Sequence, residues 1–223
     1  MNITVLGATG MVGSRLVTEA VSRGHRVTAA SRHPAGARSA AVLPVAVDAG
    51  APAAQRDAAL DAALGGADAA LLAIRPAPGQ EDSIAALTSA ALDAAGRAGI
   101  PLLVIGGAGP LRSPRDPELL VIDDPDHVPA AWRAVAEAST TQLRTCHEHA
   151  NGDWAYLSPP SLLEPGTRTG AYRRGTTTLL TDPDGTSRIS AEDLAVAALD
   201  EIEHPGGERH FTVARSPAER PAR

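Results

Sequence analysis

The chain has 223 residues, a formal net charge of -6, 43% hydrophobic residues and only 2% aromatics. That length suits one α/β domain with a modest appendage. The ordinary apolar fraction excludes a disordered chain, and the excess of acid argues against nucleic acid as a partner.

No apolar run approaches the roughly 18 residues of a membrane-crossing helix. The N-terminal apolar stretch reads as a first strand and not as a signal peptide. The single cysteine, Cys146, excludes an internal disulfide and predicts a reducing, cytoplasmic setting. With so few aromatics, the core must be Ala, Leu, Val and Ile. All 20 Lys+Arg residues are arginine, which excludes every mechanism that needs a catalytic lysine.

The elements alternate from the start. Residues 2–6 read as a buried strand, and Gly7, Gly10 and Gly13 follow it as G-x-x-G-x-x-G. A helical pattern over about 11–23 carries Met11, Val12, Leu16, Val17 and Ala20 on one face. Strand, glycine turn and helix in that order predict a dinucleotide site. Gly7 allows the tight turn, Gly10 lets the backbone approach a pyrophosphate, and Gly13 lets the helix pack close to the strand. Free N–H groups around Gly7, Thr9, Gly10, Met11, Val12 and Gly13 then meet phosphate at the positive end of the helix dipole.

Further strands are expected at 26–31, 43–47, 68–74 and 101–105, with helices at about 52–64 and 79–98. Apolar strands alternating with helices predict a doubly wound parallel sheet of Rossmann type, covered on both faces. After Gly106 the pattern loosens. Residues 106–129 read as a loop or lid, 130–144 as a helix, and 154–158 as a sixth strand. Residues 159–176 hold prolines, glycines and three arginines and read as irregular. A short strand is expected at 177–180 and a last one at 210–214. Between these, Ser190 N-caps a helix with Asp193 at capping-box spacing. The domain reading is one nucleotide-binding domain over 1–214, with 1–110 as cofactor part, 111–214 as lid and substrate segment, and 215–223 as a tail.

The end of the second strand bears on the choice of nucleotide. Sites for NAD place an acid there to hold the ribose 2′-hydroxyl. Here the residues are Ala30-Ser31-Arg32-His33. Ser31 and Arg32 offer a hydroxyl and a guanidinium fork to a 2′-phosphate, which predicts NADP(H). Asp48 either accepts from the adenine amino group or caps the following helix. The loops after strands four, five and six should surround the nicotinamide: Ala73, Ile74 and Arg75; Gly106, Gly107, Ala108 and Gly109; and Ser158 with Pro159. The glycines of the second loop either contact the nucleotide or simply make a flexible loop.

The motifs GATGMVG, Ser31-Arg32, Gly106-Gly107-Ala108-Gly109, Val121-Ile122-Asp123-Asp124-Pro125, Trp154-Ala155-Tyr156-Leu157-Ser158-Pro159, Pro165-Gly166-Thr167-Arg168-Thr169-Gly170 and the run from Ser187 to Ala195 occur in that order. The set resembles the atypical short-chain dehydrogenase/reductases, namely NAD(P)H-binding proteins akin to flavin reductase/biliverdin reductase B and to NmrA-like proteins. The resemblance implies the Rossmann fold and a nicotinamide cofactor, but not a substrate. The chain departs from the standard Tyr-x-x-x-Lys relay, since it has no lysine, and Pro110 stands where many relatives have a serine.

The resulting expectation is an NADPH-dependent reductase of a small conjugated or aromatic acceptor (flavin, quinone or ketone) working largely by positioning. A non-catalytic NADP-binding sensor is the alternative. An epimerase-type enzyme is disfavoured by the missing relay. Proton-donor candidates are Ser158, Tyr156 and His127; His147 and His149 read as solvated. Pro110, Pro159, Arg168 and Tyr172 are the substrate candidates, with Arg168, Tyr172, Arg173 and Arg174 expected to cover the ligand. The partner expected is a small molecule, with no membrane or nucleic acid and with homodimerisation left open. No metal site is evident.

Overall fold

A computed structural model describes residues 1–34, 36 and 39–216. β1 (Asn2–Leu6) lies mid-sheet, flanked in parallel by β2 (Arg26–Ser31) and β4 (Ala69–Leu72). β3 (Val42–Ala46) extends one side. β5 (Leu102–Ile105), β6 (Trp154–Ser158) and β10 (His210–Arg215) extend the other, and β8 (Tyr172–Gly175) closes that edge antiparallel to β10. The order β3-β2-β1-β4-β5-β6-β10-β8 reverses direction between β1 and β4, so a crevice opens above the carboxyl ends of those strands.

The helices divide between the two faces. α1 (Met11–Ser22) and α5 (Ala191–Glu203) cover one; Leu16, Ala20, Leu194 and Leu199 meet Val5, Val27 and Phe211 there. α2 (Ala53–Leu64), α3 (Ile84–Ala98) and α4 (Arg133–Glu148) cover the other, where Leu64, Leu92 and Leu143 meet Leu6, Leu72 and Tyr156. As composition required, these layers are mostly Ala, Leu, Val and Ile.

Four local expectations need correction. Residues 159–176 are not irregular throughout: they contain β7 (Leu162–Glu164), paired with β9 (Arg188–Ser190), and β8. Both are too short for a period of two to show. The strand expected at 177–180 is absent; Thr178 makes one isolated bridge to Arg112, and Leu179 packs on Leu111 and Val121 under the lid. α4 runs to Glu148, a turn beyond its expected end, so Cys146 and His147 are helical. The last strand includes Arg215; residues 217–223 of the expected tail lie outside the described residues.

Two glycines fix the seating of α1. Gly7 is left-handed at φ 90°, and a Cβ there would sit 2.5 Å from the Ala73 carbonyl oxygen. A Cβ on Gly13 would overlap the Gly7 carbonyl, so the helix touches the turn itself. Gly13→Ala is therefore expected to cost about 1–3 kcal/mol through overpacking against backbone that cannot yield. That corresponds to a melting midpoint lower by roughly 2–12 °C in a chain of this size. Calorimetry on the two proteins reads it directly, and an unchanged midpoint would contradict the close seating.

Candidate functional site

The crevice is built from the glycine turn outwards. Gly7 and Ala8 both donate their N–H to the Ala30 carbonyl, at 2.9 and 3.0 Å, which ties the turn to the end of β2. Gly10 then starts α1 with no side-chain cap and no acid in the first turn. The first N–H groups of a helix have no partner within it. Here Met11 is exposed and Val12 half-buried, while the Gly10 N–H before them is already given to the Gly7 carbonyl at 3.0 Å. A Cβ on Gly10 would meet only the Gly7 oxygen at 3.3 Å and the Ala73 oxygen at 4.0 Å. Unlike Gly7 and Gly13, Gly10 is not demanded by protein packing; its open side is space that an anion fits.

The end of β2 supplies a second observation. Ser31 is only 6% exposed, and its hydroxyl has no hydrogen-bond partner among the described residues. Arg32 beside it is exposed and enters no ion pair among those residues. An orphaned buried hydroxyl next to an uncommitted guanidinium, across from bare helix N–H groups, fits a nucleotide carrying several phosphates. Asp48 is exposed and accepts from Gly50 N–H at 3.0 Å. It does not cap α2, whose first turn follows Pro52 without a side-chain cap.

After β4, Ala73 and Ile74 are half-buried beside the glycine turn, and Arg75 is exposed. The loop after β5 packs closely on its neighbours. A Cβ on Gly106 would overlap the Tyr156 ring, one on Gly107 would lie 2.8 Å from Ser139 Cβ, and one on Gly109 would lie 2.5 Å from the Ala136 carbonyl. These glycines allow the chain to lie flat on α4, so their small size is explained without a ligand. Ala108 packs into the small lid core of Leu111, Val121 and Leu179.

Several sequence candidates take other roles. Tyr156 is buried; its hydroxyl donates to the Ser139 carbonyl at 2.9 Å, and burial raises its pKa far beyond the ordinary value. It is a core residue and not an acid facing the crevice. Ser158 is equally buried, its Oγ 2.9 Å from His210 Nε2. Pro110 and Pro159 are buried as well. The sequence could not show that these side chains turn inward. His127 remains half-exposed in the lid, its backbone N–H bonded to the Asp124 carbonyl. The lid is held by Asp124, which accepts from Ser113 Oγ at 2.7 Å; that bond keeps its carboxyl below the usual range.

The arginine cover is the largest correction. Arg168 clasps the buried Glu19 of α1 with two bonds, at 2.7 and 2.9 Å, and holds that carboxyl below its ordinary pKa. Arg173 pairs with Asp182, and Arg174 with Glu201 and Glu208. Tyr172 donates to Asp200 at 2.7 Å, and burial with that bond pushes its pKa up to about 12. Arg168 is thus tied to α1, Tyr172 and Arg174 to α5, while Arg173, between them on β8, turns to the opposite face and meets Asp182. Asp193 likewise serves structure. Its N–H donates to Ser190 Oγ, as capping requires, while its carboxylate accepts from the N–H groups of Thr169 and Gly170 at 2.8 Å.

His149 is half-buried, 3.3 Å from Asp93, and not solvated; His147 is exposed, its ring edge on Trp154. Cys146 is buried, and burial raises its thiol pKa to about 12, which makes it inert. No group of three metal-ligating side chains occurs among the described residues. His210 was missed by sequence reasoning because it stands alone in a strand whose partner is 52 residues away.

A Rossmann sheet with a glycine turn, bare helix N–H groups and a polar β2 end defines a dinucleotide-binding protein of the oxidoreductase type. The chain belongs to the NAD(P)H-binding family, whose model matches residues 7–205. Three solved structures are similar over nearly the whole of both chains. A Burkholderia pseudomallei protein provisionally called exported is 38% identical, with a TM-score of 0.83, covering 96% of this chain and 99% of that one. A Bacteroides thetaiotaomicron protein provisionally called an epimerase is 31% identical, with a TM-score of 0.86, covering 98% and 99%. A Streptococcus pneumoniae protein provisionally called an NADH-flavin reductase is 26% identical, with a TM-score of 0.80, covering 97% and 100%. Among the described residues no helix is long and apolar enough to cross a membrane.

Two measurements test this geometry. Gly10→Val is expected to abolish NADPH binding in calorimetric titration while leaving the melting midpoint within a few degrees, because its side chain would fill only the open space. Unchanged affinity would remove the turn as phosphate site.

The second concerns His210, whose pKa burial, with the charge of His147, lowers to about 4. An unfolded histidine titrates near 6.5, so the unfolded chain takes up the proton first as pH falls. The stability His210 contributes is complete above about pH 6.5 and lost as pH falls toward 4. His210→Gln should flatten the melting midpoint against pH across that window; an unaltered slope would assign the dependence to other groups.

Proposed function

We propose that the protein is an NADPH-dependent reductase of a small conjugated or aromatic acceptor of flavin, quinone or ketone type. The observation that carries the nucleotide choice is the end of β2, where the Ser31 hydroxyl and the neighbouring Arg32 have no partner among the described residues and no carboxylate occupies positions 30–33. The N–H groups of Thr9, Met11, Val12 and Gly13 would hold the pyrophosphate, with Gly10, its own N–H given to the Gly7 carbonyl, leaving room for it, and Arg32 with Ser31 would hold the 2′-phosphate. Ala73, Ile74 and Arg75 would flank the ribose, with the backbone of residues 106–109 below it. NADPH, when bound, supplies the hydride.

The chain's own groups favour positioning over general-acid help. There is no lysine, Tyr156 is sealed in the core, Tyr172 is tied to Asp200, and Ser158 is covered. A planar acceptor reduced by stacking tolerates that loss, with the proton drawn from solvent or from half-exposed His127. The name of the Streptococcus pneumoniae neighbour supports a flavin-type acceptor and specifies NADH. The preference for NADPH therefore rests on Ser31 and Arg32 alone. The same lack of a proton donor favours a second reading, an NADP-binding sensor without turnover. The single cysteine fits a reducing, cytoplasmic setting.

The experiment is titration with both nucleotides, followed by addition of flavins and quinones while nicotinamide absorbance is recorded. A charge-assisted bond from Arg32 to a 2′-phosphate is worth about 1.5–3 kcal/mol. NADPH should therefore bind about 10- to 150-fold more tightly than NADH, and Arg32→Ala should erase most of that ratio. Equal dissociation constants in the unmutated protein would sink the assignment, and absence of any turnover would favour the sensor. His127→Ala should leave turnover within about tenfold, below the 10²–10⁴-fold expected of a general acid.

A further inference from the structure

The chain has two Trp, two Tyr and one Phe. Four of the five serve the interior: Tyr156 and Phe211 are buried, Trp154 is 5% exposed, and Tyr172 is half-buried against Asp200. The fifth, Trp132, is 55% exposed. It ends the short 3-10 turn Ala130–Trp132 that opens α4. α4 follows β5 and returns the chain to the start of β6, so its first turn stands at the carboxyl edge of the sheet. One turn further on, the Ala136 carbonyl and Ser139 face Gly109 and Gly107 across the contacts that only glycine permits. Arg133 beside Trp132 donates to the Ile122 carbonyl of the lid at 3.2 Å. Trp132 is thus followed at once by a residue bonded to the lid, and a turn later by residues packed on the loop after β5.

Two other exposed large apolar side chains occupy the same edge. Met11, 39% exposed, is the first residue of α1 above the glycine turn. Leu162, 41% exposed, begins β7 just after Pro159 and Pro160. The remaining two, Met1 and Leu43, lie elsewhere: one at the amino end of β1, the other on the edge strand β3. A lone exposed apolar residue means little, but three of the five exposed large apolar side chains belong to the carboxyl end of the sheet, which makes that end the more apolar one.

We propose that Trp132 is the stacking wall for the acceptor, its indole face taking a planar conjugated ring of quinone or isoalloxazine type while Met11 and Leu162 close the rim. This rests on the reductase reading and assigns it a specificity-determining residue. Phe preserves a stacking face and Ala removes it, so the two substitutions separate stacking from mere bulk.

The test uses the full chain loaded with NADP+, with menadione and riboflavin as probes. Trp132→Phe leaves Trp154 as the only indole, so the difference in fluorescence between it and the unmutated protein isolates Trp132. That difference should be quenched saturably by at least one probe. Trp132→Ala should weaken its binding roughly tenfold, and Trp132→Phe less than threefold. The dissociation constant for NADPH and the circular dichroism spectrum should not move. Equal probe affinity in Trp132→Ala, or no binding of either probe, overturns the proposal. So does a sedimentation shift showing that a second copy covers Trp132. If the probe binds through Trp132 and NADPH is never oxidised, this inference stands and the reductase reading falls. If NADPH is oxidised with the same KM in Trp132→Ala, the reverse holds.

Discussion

The contact between Gly13 and the Gly7 carbonyl governs the molecule. It brings the first turn of α1 against the end of β1, and the Gly7 turn in turn lies against Ala73 at the end of β4. Two neighbouring strands and one helix thus meet at a point where no side chain intervenes. The bare N–H groups of the helix are fixed over the place where strand order reverses. Widening that junction by one methyl group would move the helix end away from the crevice, so fold and candidate site share one steric condition.

The other face answers to a different requirement. Glu19, Asp182, Asp193 and Glu201 are each at least nine-tenths buried, and a buried carboxylate needs charge or N–H partners. Arg23 and Arg168 meet Glu19, Arg173 and Arg215 meet Asp182, and Arg174 meets Glu201. Backbone N–H groups of the 165–170 loop meet Asp193. Arginines drawn to these acids are unavailable to a ligand, whereas Arg32 and Arg75 stand exposed at the crevice without an ion pair among the described residues. Glu19 on α1 and Glu201 on α5 are thereby neutralised within the fold, and the charge left uncommitted stands at the crevice.

The first half of the chain was legible because its signals are local. β1, β2 and the start of α1 were placed to the residue, since a glycine turn and a run of β-branched residues need no distant partner to be read. The second half was not. Whether Tyr156 faces the crevice or the core depends on where α4 lies, and α4 is positioned by glycines 106, 107 and 109. Arg168 looked like a ligand contact because its partner Glu19 is 149 residues away. Short strands such as β7 and β9 are defined by each other and by no pattern of their own. The exposed Trp132 carried no motif; the small number of aromatics was the one available signal.

The choice of guanidinium for every long cationic side chain makes the ion-pair belt insensitive to alkali. Ammonium groups would begin to discharge near pH 10, whereas arginine keeps its charge beyond pH 12. The belt can be opened only from the acid side, where its carboxylates take up protons.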